Sequence, residues 1–272
     1  MQPIEHRLIL MLILLSPAKT LDFESPAPTK VCTQADFLNL SQDLIKGLSK
    51  LTTDEISDLM GLSPKLSKLN HDRYNSWSLN HDTACSRQAI FAFKGDVYEG
   101  LQAWNFQKKD FDFAQSHLRI LSGLYGMLRP LDLIQPYRLE MGTLYPNPAG
   151  KDLYSFWGDR LKESINQDLL NAKTKTIVNL ASLEYAKAAR LQDMDAHVIS
   201  PVFKDEKAGK FKIISFYAKR ARGMMANFII SNKIINENDL ENFASDGYFY
   251  SAEQSTPTKP VFLRTEQSRA AA

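Results

Sequence analysis

The chain has 272 residues and a mass of 30.8 kDa, with 44% hydrophobic and 24% charged residues. This composition excludes a disordered chain, a collagen-like chain and a coiled-coil rod, and a chain of this length can bury a core without a metal or disulfide staple. The formal net charge of +2 excludes a polybasic tail protein but leaves nucleic-acid binding open, because the distribution of charge matters more than its sum.

The most apolar run of the chain, Leu8–Leu15, lies near its start. The run is too short to span a bilayer, which takes about 20 residues, and no signal-peptide cleavage site follows it. It therefore predicts a buried central strand, and we expect a cytoplasmic protein without a membrane segment. We expect residues 11–264 to form a single domain, between an extension of residues 1–10, which precedes an alternative start at Met11, and a tail of residues 265–272.

Periodicity and helix-start signals predict three helices in the first third of the chain. Apolar residues at helical spacing mark the first helix, over residues 34–50. A capping box formed by Thr52 and Glu55 begins the second. Ser63 followed by Pro64 begins the third, because serine is a good N-cap and proline fits the first helical position.

The rest of the chain alternates between predicted strands and helices. The strands cover residues 89–93, 120–123, 176–180, 196–204, 209–216, 248–250 and 261–264. The helices cover residues 111–118, 152–170, 184–190 and 218–232. Segment 120–123 can also be the second half of the helix before it, while 196–204 with 209–216 and 248–250 with 261–264 pair as hairpins. Because strands and helices do not segregate, the fold class is α/β or mixed α+β, with a mixed central sheet and helices around it.

The most concentrated charge lies in residues 204–222, which we call the basic strip. It contains seven basic and two acidic residues, a net charge of +5. Lys210 and Lys212 share a face of a predicted strand, and Lys219 and Arg222 share a face of a predicted helix. The strip indicates either a phosphate-binding surface or a solvated face whose lysines serve solubility alone.

A second feature is the tight turn from Gly123 to Gly126, which lies between two hydrophobic runs and is flanked by Arg119 and Arg129. Glycines let the backbone approach a ligand closely, so such a turn between two short helices can offer N–H groups to a phosphate. A plain connection between a strand and a turn is the alternative, and the residues alone favour it.

Polar residues also follow predicted strands and helices at several points. They are Lys19, Lys94, Asp96, Tyr98, Arg138, Glu140, Ser182, Glu184 and Tyr185, together with the region of Lys219. Polar groups that meet where strands end often build an α/β pocket, so these residues predict a shared site. The sequence has no Ser-His-Asp order, no HExxH motif and no Walker A loop.

Cysteine and histidine spacing gives no metal or cofactor site. Cys32 and Cys85 have no neighbour at CxxC spacing, which indicates two reduced thiols or, if they are close in space, a redox-sensing pair. The five histidines have no partners at metal-ligand spacing. We therefore expect no metal site and no cofactor.

Several longer segments resemble one family. They are Ser16–Leu21, Phe93–Tyr98, Ser122–Gly126, Arg129–Asp132, Pro136–Gly142, Phe156–Asp159, Asn179–Ser182 and Ile214–Gly223. In their order and spacing the chain is similar to the YaaA-type peroxide stress resistance proteins of bacteria, from Met11 to about Arg264.

The resemblance implies a cytosolic protein that helps the cell survive hydrogen peroxide by limiting free iron and the DNA damage that iron drives. It also implies binding of double-stranded or branched DNA through a positively charged cleft and a helix-hairpin-helix element. Gly123 and Gly126 best match that hairpin, and the basic strip is the candidate for one wall of the cleft. The implied DNA-binding residues are Lys19, Lys94, Gly123, Gly126, Arg129, Arg138, Lys210, Lys212, Lys219, Arg220 and Arg222.

Two classes of function follow. The first is a sequence-tolerant DNA-binding protein of the peroxide stress response, with no obligate protein partner, in which Phe216 and Tyr217 can stack on bases. The alternative is an enzyme acting on a nucleobase, nucleotide or nucleic acid in a polar pocket at strand ends. Its candidate residues are Asp96, Arg138, Glu140, Glu184 and Lys219. A single closed pocket lined by these five, with shifted pKa values, would favour the enzyme, whereas an open groove or a scatter over the surface would not. We rank DNA binding first, largely on the resemblance.

Overall fold

The structure is a computed structural model that describes residues 11–271. In this range the strands are β1 (Leu12–Leu15), β2 (Thr20–Leu21), β3 (Arg87–Gln88), β4 (Phe93–Lys94), β5 (Leu118–Ser122), β6 (Gly126–Leu128), β7 (Leu133–Ile134), β8 (Thr176–Leu180), β9 (His197–Ile199), β10 (Val202–Lys207), β11 (Lys210–Lys212), β12 (Phe249–Tyr250) and β13 (Val261–Arg264). The helices are α1 (Leu38–Leu48), α2 (Thr53–Met60), α3 (Pro64–Ser76), α4 (Ala89–Ala92), α5 (Asp96–Leu101), α6 (Lys108–His117), α7 (Leu153–Trp157), α8 (Arg160–Ala172), α9 (Leu183–Ala188), α10 (Ser215–Asn232) and α11 (Glu266–Ala271). Helices and strands in several mixed sheets confirm the predicted α/β class.

The strand β1 lies at the centre of a five-stranded sheet with the order β6–β5–β1–β8–β9. Strands β5, β1, β8 and β9 are parallel, and β6 is antiparallel to β5. All four residues of β1 are buried, as the continuous apolar sequence predicted. Leu8, Ile9 and Leu10, the start of that apolar run, lie outside the described residues.

The order of the strands reverses at β1. The chain runs from β1 to β5 on one side, and later returns to β8 on the other side of β1. The connections that follow β1 and β8 therefore diverge and leave a crevice at the carboxyl ends of these two strands.

A second sheet, of four strands in the order β11–β10–β13–β12, contains the C-terminal strands. Helix α10 contacts β1 and β8 of the first sheet and β10 of the second, so it connects the two. Apolar side chains from both sheets belong to one buried cluster, with Leu12 and Phe262 as examples. None of the helices in residues 11–271 is both long and apolar enough to cross a membrane.

The three helices predicted in the first third of the chain are present as α1, α2 and α3. The capping box of α2 is formed as predicted, because the Glu55 N–H donates to Thr52 Oγ1 at 3.2 Å and the Thr52 N–H donates to Glu55 Oε2 at 2.8 Å. Ser63 caps α3, with Pro64 at its first position. Local sequence signals alone were sufficient for these helices.

Two predicted boundaries are wrong for physical reasons. Residues 89–92 form the short helix α4, and only Phe93 and Lys94 form a strand, because a short run buried on every side does not by itself distinguish helix from strand. The single helix predicted over 152–170 is two helices, which are separated at Gly158, where φ is 52°.

The hairpin predicted from 196–204 and 209–216 is correct only in its middle. Strands β10 and β11 pair antiparallel around a turn at Ala208 and Gly209. Residues His197–Ile199 pair instead with β8 in the first sheet, and residues from Ser215 onward belong to α10. The hairpin of β12 and β13, by contrast, is formed as predicted.

The turn from Gly123 to Gly126 joins two strands rather than two helices. Strands β5 and β6 pair antiparallel, with Ser122 opposite Gly126, so the expected helix-hairpin-helix element is not found at this position. The turn is also buried, because a Cβ on Gly123 would lie 2.2 Å from the Leu139 carbonyl oxygen and one on Gly126 would lie 2.6 Å from the Trp157 ring. These glycines therefore serve close packing, and neither presents an exposed surface to DNA.

Candidate functional site

A pocket with a volume of about 420 Å³ opens at the carboxyl ends of β1 and β8. This is the crevice where the strand order reverses, the position at which open α/β sheets bind their ligands. Its volume lies within the range of about 300–1,000 Å³ that is usual for ligand pockets. Part of its wall is apolar and consists of Pro17, Ala18, Val97, Leu139 and Leu180.

Two serines connect the strand ends that form the pocket. Ser16 follows β1 directly, and its Oγ accepts a hydrogen bond from the Ser182 N–H at 2.8 Å. The Tyr98 hydroxyl donates to the Ser16 carbonyl oxygen at 3.1 Å. Burial raises the pKa of Tyr98, and also those of Tyr137 and Tyr185, which line the pocket, so all three hydroxyls stay protonated at neutral pH.

The segment after α4 adds a second side of the pocket. Strand β4 pairs with β2, with Thr20 opposite Lys94, which places Lys94 and Asp96 beside the segment that follows β1. The Lys94 Nζ lies 3.5 Å from Asp22 Oδ2. Hydrogen bonds from the backbone and side chain of Ser25 lower the pKa of Asp22 well below its usual range, so this carboxylate is charged at neutral pH.

Glu140 neutralises two of the basic residues at the pocket. The Lys19 Nζ lies 2.8 Å from Glu140 Oε2, and the Arg138 Nη2 donates to Glu140 Oε1 at 3.0 Å. Glu184 is also engaged, since its Oε1 accepts the Gly142 N–H at 2.7 Å. Asp96 differs from both, because within residues 11–271 its side chain makes no hydrogen bond or ion pair.

The third side of the pocket is formed where helices α5 and α10 cross at close distance. A Cβ on Gly223 would lie 1.7 Å from the Val97 carbonyl oxygen, and one on Gly100 would lie 2.1 Å from the Arg220 carbonyl oxygen. The two helices therefore touch backbone to backbone, which only glycine permits. This contact sets the position of the pocket-lining side chains of α10 relative to the start of α5.

Lys219 and Arg222 are the two side chains that α10 contributes to the pocket. They lie about one helical turn apart, and neither is paired with a carboxylate in the described part of the chain. Lys219 is exposed and Arg222 is half-buried. Burial lowers the pKa of Arg222, which means that its charge is partly desolvated without a compensating anion.

The other predicted basic contacts lie away from this pocket. Lys210 and Lys212 are exposed on β11, at the edge of the four-stranded sheet. Arg220 is not among the residues that line the pocket, and its Nε is buried without a hydrogen bond to the described part of the chain. Within the basic strip, Lys210 and Lys212 therefore lie on an edge strand, whereas Lys219 and Arg222 line the pocket.

Arg129 is held by contacts within the protein. Its Nη2 lies 3.1 Å from Asp132 Oδ1 and 3.2 Å from Asp36 Oδ1, and it donates to the Gln34 carbonyl oxygen at 2.6 Å. Asp132 is buried, and this network connects the segment after β6 to the segment before α1. These contacts give Arg129 a structural role.

The two aromatic residues of the basic strip also differ. Phe216 is 55% exposed near the start of α10. Tyr217 packs against the guanidinium groups of Arg264, at 4.8 Å from its ring centroid, and Arg269, at 5.0 Å. Phe216 is therefore the one of the two whose ring is available for stacking on a ligand.

The structure brings most of the predicted polar residues to one place. The pocket-lining basic residues are Lys19, Lys94, Arg138, Lys219 and Arg222, and the acidic ones are Asp96, Glu140 and Glu184. All five residues proposed for an enzyme are in this set. Sequence reasoning missed Ser16 and Tyr137, although the position of Ser16 directly after a buried strand was a usable signal.

No group of three or more His, Cys, Asp or Glu side chains in residues 11–271 is arranged to hold a metal ion. Cys32 and Cys85 are both exposed free thiols. The chemical groups at the pocket are therefore amines, guanidinium groups, carboxylates and hydroxyls. Such groups can bind anions and polar heterocycles and can transfer protons.

A sequence model of one protein family, described as peroxide stress protein YaaA, matches residues 11–254. The matched range begins at β1 and contains every residue that lines the pocket. It covers most of the chain, so this protein belongs to the peroxide stress protein YaaA family.

Proposed function

We propose that this protein binds DNA without sequence preference, as part of the defence against peroxide that its family serves. The observation that carries the proposal is the pair Lys219 and Arg222, two cations on one face of α10 that line the pocket and are unpaired within residues 11–271. Unpaired lysine and arginine bind phosphates by replacing condensed counterions, an interaction that does not depend on the base sequence.

The surroundings of this pair support the same function. Five basic residues line this pocket against three acidic ones, so the backbone of a nucleic acid that reaches Lys219 meets a net positive charge, even though Glu140 pairs with Lys19 and Arg138. Phe216, one turn before Lys219, offers an exposed ring on which a base can stack.

Protection against damage driven by free iron is part of the proposal. Free iron and hydrogen peroxide together generate oxidants that attack DNA, so a protein that covers DNA lowers the damage without holding iron itself. This effect is on the DNA damage and not on the iron itself, and it follows from DNA binding.

The test is binding of a labelled random-sequence duplex, followed by fluorescence anisotropy between about 50 and 200 mM salt. We expect the wild type to bind with a log–log salt slope of several units. The double variant Lys219→Ala/Arg222→Ala should bind more weakly, with a slope that is less steep by about two units, because two phosphate contacts are lost.

The matched control is Lys210→Ala/Lys212→Ala, which removes the same charge from the exposed edge strand β11. We expect a smaller loss of affinity in this variant than in the pocket variant. Equal losses in the two variants would show that overall charge, rather than the pocket, decides binding. No binding by the wild type at the lowest salt would refute the proposal.

The enzyme hypothesis remains as a second candidate, because all five of its residues line one pocket. The uncommitted carboxylate of Asp96 is the best candidate for a proton-transfer group in that set. The test is a chromatographic search for products after incubation with DNA and with single nucleotides. A product that disappears with Asp96→Asn supports an enzyme, and no product from any substrate argues against one.

A further inference from the structure

We infer that the pocket binds one nucleotide unit, with its phosphate at Lys219 and Arg222 and its base inside the cavity near Asp96. Binding of a nucleotide that is part of DNA rests on the proposed function, whereas binding of a free nucleotide does not. The cavity of about 420 Å³ matches a single small ligand. A duplex cannot enter it, so DNA held at the rim leaves the cavity empty unless one nucleotide turns inward.

The first argument concerns the groups that the protein leaves unpaired. Glu140 is neutralised by Lys19 and Arg138, and Glu184 accepts a backbone N–H. Among the charged side chains that line the pocket, those of Asp96, Lys219 and Arg222 make no hydrogen bond or ion pair with residues 11–271. A ligand that satisfies all three must carry both an anion and a hydrogen-bond donor, such as an N–H group.

The chemistry of a nucleotide meets this requirement in one molecule. Its phosphate is an acceptor for lysine and arginine, and the amino or imino groups of a base are donors for a carboxylate. Inorganic phosphate would leave Asp96 unpaired, and a free base would leave the partly desolvated Arg222 without an anion. The structure therefore favours a nucleotide over either fragment.

The second argument concerns how these groups are held. Asp96 is the first residue of α5, and Lys219 and Arg222 lie on α10, so the α5–α10 crossing at Gly100 and Gly223 fixes the distance between the two parts of the site. The apolar wall gives a flat base a surface to pack on, while Ser16 places a hydroxyl at the end of β1. Backbone contact between the two helices sets the relative position of their backbones, which lowers the cost of ordering the site when a ligand binds.

One ligand chemistry can come from two sources, a free mononucleotide or a nucleotide extruded from a strand. Extrusion requires a base to be unstacked and unpaired, which costs a few kcal/mol and least at a damaged or mismatched base. A pocket of this kind in a DNA-binding protein would therefore prefer DNA that carries such a base.

The experiment has two arms, each with wild type, Asp96→Asn and Ala18→Phe. Ala18 lies in the partly exposed wall, so phenylalanine fills the cavity without changing charge. The first arm measures binding of the four deoxynucleoside monophosphates by calorimetry, with inorganic phosphate as the comparison. The second arm measures the fluorescence of a duplex with one 2-aminopurine opposite a mismatch, since this base brightens when it is unstacked.

We expect a mononucleotide to bind at least tenfold more tightly than inorganic phosphate, and Asp96→Asn to lose about tenfold of that affinity, as is usual for a hydrogen bond to a charged group. If the source is a strand, the wild type should raise 2-aminopurine fluorescence several-fold. In that case Ala18→Phe should still bind the duplex but lose the rise. A positive result in either arm supports the inference and identifies the source of the nucleotide.

The opposite outcomes separate this inference from the proposed function. Salt-dependent duplex binding with no fluorescence rise and no mononucleotide binding overturns the nucleotide site and leaves DNA binding intact. Mononucleotide binding without any duplex binding supports the site and overturns the proposed function. Binding that Asp96→Asn and Ala18→Phe both leave unchanged would place the ligand outside this pocket.

Discussion

Two charged regions meet helix α10 and differ in how their charges are paired. The first is the buried cluster, which we define as Asp205, Asp246, Tyr248, Arg264 and Arg269. Asp205 is fully buried and accepts hydrogen bonds from Arg264 Nε at 2.7 Å and from the Tyr248 hydroxyl at 2.8 Å. Arg264 also pairs with Asp246, so its charge is compensated on two sides.

The second region is the pocket, where Lys219, Arg222 and Asp96 are unpaired within residues 11–271. In the sequence the two regions are hard to distinguish, because Asp205 and Lys219 both belong to the basic strip. Charge density along the sequence therefore does not by itself identify a binding site. Charges that are paired and buried hold the fold together, and charges that are left open near a cavity are available to a ligand.

The largest effect should come from breaking the buried cluster. Asp205→Ala leaves the buried guanidinium of Arg264 with one of its two carboxylates, so the free energy of unfolding should fall by about 3–5 kcal/mol. Urea denaturation measures this change. Asp43→Ala, which removes an exposed ion pair with Lys46, is the control and should cost less than about 1 kcal/mol. Similar small losses in both variants would contradict the contrast between buried and exposed charges.

A smaller effect should follow from separating the two helices that hold the pocket. Gly223→Ala places a methyl group against the Val97 carbonyl oxygen, which should cost about 1–3 kcal/mol of stability. Because α10 must then move away from α5, duplex affinity should also fall, although no charge is lost. Ser231→Ala, at an exposed position of the same helix, should change stability by less than about 0.5 kcal/mol. Unchanged DNA binding in a folded Gly223→Ala protein would show that the position of α10 does not matter.

The smallest effect on stability should come from Glu140→Gln, which removes a negative charge from the pocket instead of breaking a contact of the fold. The substitution releases Lys19 and Arg138 from their common carboxylate. Stability should change by less than about 1 kcal/mol, since the Lys19 side chain is 62% exposed and the glutamine carbonyl oxygen can still accept a hydrogen bond from Arg138. Duplex binding should become tighter and its salt slope steeper by about one unit. A titration at several salt concentrations decides this, and weaker binding would mean that Glu140 itself contacts the ligand.

Much of the local structure could be predicted from the sequence. The capping box of α2, the N-cap of α3 and the continuous apolar run of β1 each depend on residues close together in the chain, and each is found where expected. The helix α4 was missed because its four residues are buried on every side, so their hydrophobicity carries no period. At the Gly123–Gly126 turn the residues alone favour a strand connection, which the pairing of β5 with β6 confirms, and only the resemblance favours helices there.

The residues alone identify the side chains that are available for a site, which are polar side chains directly after strands and a basic strip in the C-terminal third. Which of these side chains meet depends on the tertiary structure. Parallel pairing of β1 with β8 joins Ser16 to Ser182, and the glycine crossing of α5 and α10 brings Lys219 toward Asp96. Tertiary contacts also pair Arg129 with Asp132 and Asp205 with Arg264, so these charges are not available to a ligand. Pairing between charged side chains depends on distances between residues far apart in the chain. Packing sets those distances, and local periodicity does not set them.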